Sequence, residues 1–179
     1  MAFMRRGMGR LTAVVAVAAL GAVGAAPAQA AAPKAELTPG GRAIAPPSAP
    51  PSVKAMIAAA NHIRHRPYSW GGGHRHWNSR GYDCSGSVSY VLHAGGLLDY
   101  PLDSRGFMRW GGGGPGSWVR IYANRDHVYM VIAGLRWDTS MTDDGDRHGP
   151  GWSEEMRSGG GFRLRHPEGL FSAEPLVRP

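Results

Sequence analysis

The order of two hydrophobic patterns along the chain restricts its fold more than any other feature. Apolar residues recur at helical spacing over residues 53–66 and again after Asp83, whereas strand-like apolar runs begin only at Trp118. Helices followed by a block of strands are typical of the α+β class. We therefore predict an α+β fold in which N-terminal helices pack on a small antiparallel sheet.

Local signals mark where the predicted helices begin and end. Ser52 is a suitable N-cap for the first helix, and Pro67 stops it because proline disfavours helical geometry in the residue before it. Asp83 is a suitable N-cap for the second helix, and Gly95 and Gly96 end that helix. The residue that follows Asp83 is therefore expected at the amino-terminal end of a helix.

Four later runs are predicted as strands, over residues 118–123, 127–133, 136–140 and 161–165. The second and third runs are close in sequence, which predicts a hairpin that turns at Gly134-Leu135. The resulting sheet is antiparallel.

The first 30 residues have the pattern of a secretory signal peptide. Residues 1–10 carry three arginines and no acidic residue, residues 11–26 are small and apolar, and Ala28-Gln29-Ala30 is a small-x-small cleavage site. A membrane anchor is the alternative, but the apolar run is shorter than the roughly 20 residues that a span needs. We predict a signal peptide over residues 1–30 and a secreted or cell-envelope protein, with no membrane span after cleavage.

Residues 31–52 are rich in proline and alanine and contain little apolar bulk. Such a segment buries too little surface to offset the chain entropy lost on folding, which predicts a flexible, semi-extended tether. Residues 53–179 are enough for a single domain. We find no repeat or second domain in them, and we expect a monomer.

Cys84 is the only cysteine in 179 residues. Exported proteins use cysteines in disulfide pairs, so a single one indicates an intermolecular bridge, a reactive thiol or a buried inert thiol. The first turn of a helix favours the thiolate, because its unpaired N–H groups and the helix dipole stabilise negative charge. The position of Cys84 therefore favours a nucleophile.

A thiol nucleophile needs a base, and His127 is the best placed histidine because it opens a strongly apolar strand. Asp138 could fix the tautomer of this imidazole, since strand alternation puts both residues on one face of the hairpin. A turn at Gly134-Leu135, however, sets Asp138 opposite Val131, four residues from His127. That separation is too long for a direct hydrogen bond unless a bulge or strong twist shortens it.

The segments RPYSWGGG (residues 66–73) and GYDCSGSVSYVLHAGGLL (residues 81–98) resemble the nucleophile region of the NlpC-type cell-wall cysteine peptidases, a papain-like family of bacteria. The resemblance covers residues 53–98 closely and residues 127–140 more loosely. It implies the papain-like NlpC-type fold. It also implies hydrolysis of amide bonds in the stem peptides of peptidoglycan, typically between D-glutamate and a diamino acid.

Carried over residue by residue, the resemblance makes Cys84 the nucleophile and His127 the general base. It puts Asp138 at the third polar position, and it matches Tyr68 with a tyrosine whose hydroxyl lines the oxyanion site. The alternative for Tyr68 is a core aromatic residue with a solvated hydroxyl. Gly86 would let the strand of His127 pack close to the helix.

Three features depart from the family pattern. The family usually has a proline-glycine-aspartate turn before the strand that precedes the histidine strand, whereas residues 115–128 read PGSWVRIYANRDHV. Asp126 stands where a glycine usually precedes the histidine, and residues 99–116, which would line the cleft, do not resemble the family. The substrate therefore stays open. An acyltransferase or amidase that acts on a lipid or small amide is one alternative, and a non-catalytic wall-binding module is the other.

No cofactor, metal or nucleic-acid partner is expected, and the expected partner is the peptidoglycan stem peptide. The His-Arg-His sequence at residues 74–76 has no cysteine or carboxylate at ligand spacing nearby, so we interpret it as a loop at the rim of the cleft. Arg157, Arg163 and Arg165 lack the interleaved aromatic residues that stack on bases, so we interpret them as a solvated strand face.

Overall fold

The computed structural model describes residues 33–140 and 149–170, and the predicted signal peptide lies outside them. The helices are α1 (Pro51–Ile63), α2 (Cys84–Ala94) and α3 (Ser104–Phe107). The strands are β1 (Glu36–Leu37), β2 (Ala43–Ile44), β3 (Gly112–Gly113), β4 (Val119–Ala123), β5 (Val128–Ile132), β6 (Leu135–Asp138), β7 (Gly151–Ser153) and β8 (Arg163–His166). The predicted α+β class is confirmed. Within the described ranges, no helix is both long enough and apolar enough to cross a membrane.

The main sheet is antiparallel and has the order β3-β8-β4-β5-β6-β7. Strand β5, with the sequence VYMVI, lies inside the sheet, and all five of its residues are buried. Helix α2 packs against both α1 and β5. The helix that begins at Cys84 is therefore fixed to the strand that follows His127.

The two long helices begin by different means. Helix α1 begins at Pro51, so Ser52 is not its N-cap, and the residue before the helix makes no side-chain cap hydrogen bond. Proline suits the first position of a helix because its missing N–H would have no partner there. Helix α2 begins at Cys84 as predicted, and Oδ1 of Asp83 accepts a hydrogen bond from the Gly86 N–H at 2.7 Å.

The segment before α1 is not a tether, which corrects the prediction for residues 31–52 over the part that the structure describes. The two short strands β1 and β2 pair with each other, and Ala35, Ala43 and Ala49 are buried in the core. The Ala35 N–H donates to the Ala133 carbonyl at 2.7 Å. The side chain of Asn61 on α1 bonds both the N–H and the carbonyl of Ala43. The amino-acid composition gave the wrong prediction because the hydrogen-bond partners of this backbone, Asn61 and Ala133, lie outside the segment.

The turn between β5 and β6 lies one residue earlier than predicted. Ala133 and Gly134 occupy it with φ angles of 45° and 80°, and Ile132 therefore pairs with Leu135. Two successive positive φ angles are typical of the type I′ turn, whose twist suits a hairpin. An alanine rarely adopts positive φ, so nothing in the sequence marked Ala133 as a turn residue.

Gly86 packs against the glycine turn that precedes α2, which corrects its predicted role beside the strand of His127. A Cβ atom at Gly86 would collide with the carbonyl oxygen of Gly72. The Asp83 N–H donates to that same oxygen at 3.2 Å. The glycines of the YSWGGG segment thus hold the chain against the first turn of α2.

Candidate active site

Cys84 is the first residue of α2, and it is 7% exposed. Its position depends on the Asp83 cap, and Asp103 makes a cap of the same form at α3. Each aspartate accepts a hydrogen bond at 2.7 Å from the N–H of the glycine three residues later. Cys84 and Ser104 are therefore the first residues of two capped helices, and their Sγ and Oγ atoms lie 3.7 Å apart.

His127 connects the thiol to a buried carboxylate. It directly precedes β5, and its side chain hydrogen-bonds to Cys84. Its Nε2 donates to Oδ1 of Asp138 at 2.8 Å. Asp138 is the last residue of β6, and its side chain is completely buried. The structure thus brings together the three predicted residues in the order thiol, imidazole, carboxylate.

The one-residue shift of the turn explains how His127 reaches Asp138. Met130 pairs with Trp137, so Asp138 falls opposite Tyr129 and not opposite Val131. His127 is then two residues from the position that faces Asp138, on the same side of the sheet. Diagonal neighbours of this kind are within reach of long side chains. No bulge is needed, contrary to the expectation from the predicted register.

Opposing effects set the charge state of the three groups. Burial raises the pKa of the Cys84 thiol, but the hydrogen bond and the positive charge of His127 outweigh burial, so the pKa falls below its ordinary value. Burial lowers the pKa of His127, but Asp138 and Cys84 raise it by more than burial lowers it, and the pKa reaches about 9. Burial raises the pKa of Asp138, but its bonds to His127, the Ser140 N–H and Arg157 lower it overall. The three shifts in pKa all favour the charged forms: thiolate for Cys84, imidazolium for His127 and carboxylate for Asp138.

Arg157 is a member of this site that the sequence did not indicate. Its Nη1 lies 3.1 Å from Oδ2 of Asp138 and 3.4 Å from Nε2 of His127. The interpretation of Arg157 as part of a solvated strand face is therefore wrong, and Arg165 also departs from it because it donates to backbone carbonyls of residues 109–111. Arg163 is exposed. No local pattern around Arg157 could have placed it beside a carboxylate 19 residues earlier.

The thiol lines a cleft of about 510 Å³. The lining residues come from four parts of the chain, and they are Trp70, Gly71, His74, Asp83, Cys84, Ser85, Asp103, Ser104, Arg105, Arg125 and Asp126. Trp70 is 84% exposed, so its ring is available to a bound molecule. Asp103, Ser104 and Arg105 belong to the segment that did not resemble the family, which therefore does line the cleft as expected.

His74 lies at the cleft, as predicted for the His-Arg-His loop. Its Nε2 is 3.1 Å from Oδ1 of Asp83 and 3.1 Å from the hydroxyl of Ser85. The hydrogen bond to Asp83 raises the pKa of His74, although burial opposes the rise. Within residues 33–140 and 149–170, no group of three or more histidine, cysteine, aspartate or glutamate side chains could hold a metal ion.

Tyr68 is half-buried and forms an isolated parallel bridge with Tyr82, two residues before Cys84. The bridge ties the YSWGGG segment to the start of α2. The proposed role of the Tyr68 hydroxyl at the oxyanion site stays a prediction.

No protein-family profile and no curated protein matches the chain. Among solved structures it is similar to an NlpC/P60 family protein from Bacillus cereus ATCC 10987, with 20% identity over 65% of this chain and 40% of that one, at a TM-score of 0.49. It is also similar to a protein described as similar to lipoprotein, of the NLP/P60 family, from Staphylococcus aureus subsp. aureus Mu50. That match has 17% identity over 64% of this chain and 41% of the other, at a TM-score of 0.39. The chain thus spans about two fifths of each of these proteins.

Proposed function

We propose that this chain is a secreted or cell-envelope cysteine peptidase of the NlpC type, which hydrolyses amide bonds in the stem peptides of peptidoglycan. The observation that carries the proposal is the row of hydrogen bonds from Cys84 through His127 to Asp138. An inert core thiol would need neither a histidine nor a buried carboxylate behind it. A reactive thiol needs both, because the imidazole must be oriented and must carry a proton.

In the first half of the proposed reaction, the Cys84 thiolate attacks the carbonyl carbon of the scissile amide. The negative charge moves to the carbonyl oxygen, where N–H groups of the first turn of α2 and the Tyr68 hydroxyl would stabilise it. The Gly86 N–H is already bonded to Asp83, which leaves the N–H groups of Cys84 and Ser85. The imidazolium of His127 then protonates the leaving nitrogen, the C–N bond breaks, and a thioester on Cys84 remains.

In the second half, His127 is neutral and acts as a base. It takes a proton from a water molecule, whose oxygen attacks the thioester carbonyl. The carboxylic acid leaves, and the thiolate and imidazolium are restored. Asp138 holds the imidazole orientation through both halves, because its carboxylate accepts from Nε2 throughout.

The cleft supports a polar peptide substrate. Its lining carries two arginines, Arg105 and Arg125, together with the carboxylates of Asp103 and Asp126. Stem peptides bear both amine and carboxylate groups, so a lining of both signs would suit them. The exposed ring of Trp70 adds a surface on which an uncharged part of the substrate peptide could lie.

The proposal is tested by mass spectrometry of purified wall fragments incubated with the wild-type protein and with Cys84→Ala. We expect the wild type to add one water across a stem-peptide amide and the variant to give no product above background. Arg163→Met, which changes an exposed residue of β8, is the matched control and should cleave at the wild-type rate. Cleavage by Cys84→Ala at the wild-type rate would end the proposal.

The same experiment separates the alternatives. Transfer of the acyl group to an added amine, in place of hydrolysis, would favour an acyltransferase. Retention of wall fragments by the wild type without any new product would favour a binding module.

A further inference from the structure

Arg157 occupies an unusual position, because its positive charge lies beside a histidine that is itself expected to be positive. Its Nη1 is 3.4 Å from Nε2 of His127. That nitrogen donates its proton to Asp138, so it has no lone pair to offer the guanidinium. The approach of Arg157 to His127 is therefore a contact between like charges and not a hydrogen bond.

The shared carboxylate makes this contact tolerable. Asp138 accepts from His127 through Oδ1 at 2.8 Å and from Arg157 through Oδ2 at 3.1 Å. Arg136 adds a second guanidinium 3.7 Å from Oδ2. One buried negative charge is thus divided between the imidazolium and two arginines, and each arginine reduces the share that is left for His127.

Aromatic packing holds Arg157 in this place. Its guanidinium carbon lies 5.7 Å from the centre of the Tyr129 ring, within the range of a cation–π contact. Tyr129 is stacked on Tyr122 at 4.7 Å and meets the edge of Phe162 at 5.2 Å. The side chain of Arg157 is only 23% exposed. A mobile surface arginine would have none of these constraints.

We propose that Arg157 is a positioning residue that limits how strongly Asp138 holds the imidazolium of His127, so that His127 can release its proton to the leaving group. The catalytic meaning of this inference rests on the proposed function. A general acid works best when its pKa is close to the working pH, and that of His127 is already raised to about 9. Without Arg157, only Arg136 would share the carboxylate with His127, and the carboxylate would bind the imidazolium more tightly still.

Several charged or titratable groups surround His127, and the test has to separate Arg157 from them. Those in contact with His127 or with its carboxylate partner are Cys84 on α2, Tyr129 on β5, Arg136 and Asp138 on β6, and Arg157 after β7. Arg125 and Asp126 immediately precede His127 and line the cleft. Of these groups, only Arg157 brings a positive charge next to Nε2 of His127. A substitution of Arg157 removes that charge, and Asp138 still accepts a hydrogen bond from the Ser140 N–H.

The test is the pH titration of the His127 imidazole, followed by NMR in ¹⁵N-histidine-labelled protein and assigned with His127→Gln. In Arg157→Met we expect the midpoint to rise by roughly half a unit to one unit, because a nearby positive charge is removed. Arg157→Lys keeps the charge and should return the midpoint to that of the wild type. Arg163→Met, on an exposed face of β8, should leave it unchanged.

The direction of the shift distinguishes this role from a structural one. If Arg157 served only to hold Asp138 in place, its loss would free the carboxylate, and the midpoint would fall, as in Asp138→Asn. A fall or an unchanged midpoint in Arg157→Met would overturn the inference. The titration needs no substrate, so a failure of wall-fragment cleavage would count against the proposed function alone.

Discussion

The Cys84 end and the Asp138 end of the candidate site are built in different ways. Cys84 is placed by its immediate neighbours, since the Asp83 cap and the packing of Gly86 against Gly72 lie within 15 residues of one another. Asp138 is placed by a hairpin register and by Arg157, which is 19 residues away in sequence. One end is a local structure, and the other forms only when the sheet has closed.

Substitutions at the two ends of the site should therefore have different effects. Local packing and capping fix the fold around the thiol, so changes there should act mainly on stability. The carboxylate end is buried and electrically coupled to His127, so changes there should act mainly on reactivity and its pH dependence. The following substitutions test this division, in order of decreasing effect.

Asp138→Asn should have the largest effect, and that effect should be on activity. The amide keeps the shape of the carboxylate but removes the charge that raises the pKa of His127. We expect kcat/KM for wall-fragment cleavage to fall roughly 10²-fold and its alkaline limb to move to lower pH, since the imidazolium loses its proton more readily. Asp99→Asn, at an exposed position, is the control. An unchanged alkaline limb would mean that Asp138 does not act on His127.

Gly86→Ala should have the next largest effect, on stability. The added methyl group meets the Gly72 carbonyl oxygen, which is backbone and cannot move aside as a flexible side chain could. We expect the free energy of unfolding to fall by about 1–3 kcal/mol in denaturant titrations, as for other overpacked sites. Gly40→Ala has open space around the new methyl group and should be close to neutral. Equal stability of the two variants would refute the close packing described for α2.

The two helix caps should give the smallest effects, and unequal ones. Asp83→Ala and Asp103→Ala each remove one cap hydrogen bond, which is worth about 1 kcal/mol. Asp83 also accepts from the Gly71 N–H and pairs with His74, whereas Asp103 is exposed. Thermal unfolding should therefore show a larger loss of Tm for Asp83→Ala. A larger loss for Asp103→Ala would contradict the role of Asp83 as the anchor of the local end.

The same contrast explains what could be predicted from the sequence. The α2 start and its Asp83 cap follow from short-range signals, and the structure agrees with them. The choice of His127 as the partner of Cys84 rests on its place before an apolar strand and on the family resemblance, and the structure joins the two side chains by a hydrogen bond. The contact between His127 and Asp138 depended on a turn at Ala133-Gly134, and alanine gives no signal for positive φ.

The features that could not be predicted depend on contacts between residues that are far apart in the sequence. Residues 33–50 are ordered because Asn61 and Ala133 supply hydrogen bonds that composition cannot reveal. Arg157 could not be found for the same reason. Ser104 carried a usable signal, since the Asp-x-x-Gly pattern at residues 103–106 repeats the one at residues 83–86.

The central claim is that His127 keeps the Cys84 thiol ionised, and alkylation measures this most directly. Because Cys84 is the only cysteine, iodoacetamide uptake at pH 6 reports on one sulfur. We expect the wild type to react at least about tenfold faster than a free thiol, whose ordinary pKa leaves little thiolate at that pH, and His127→Ala to lose the advantage. Equal, slow alkylation of the wild type and His127→Ala would contradict the account.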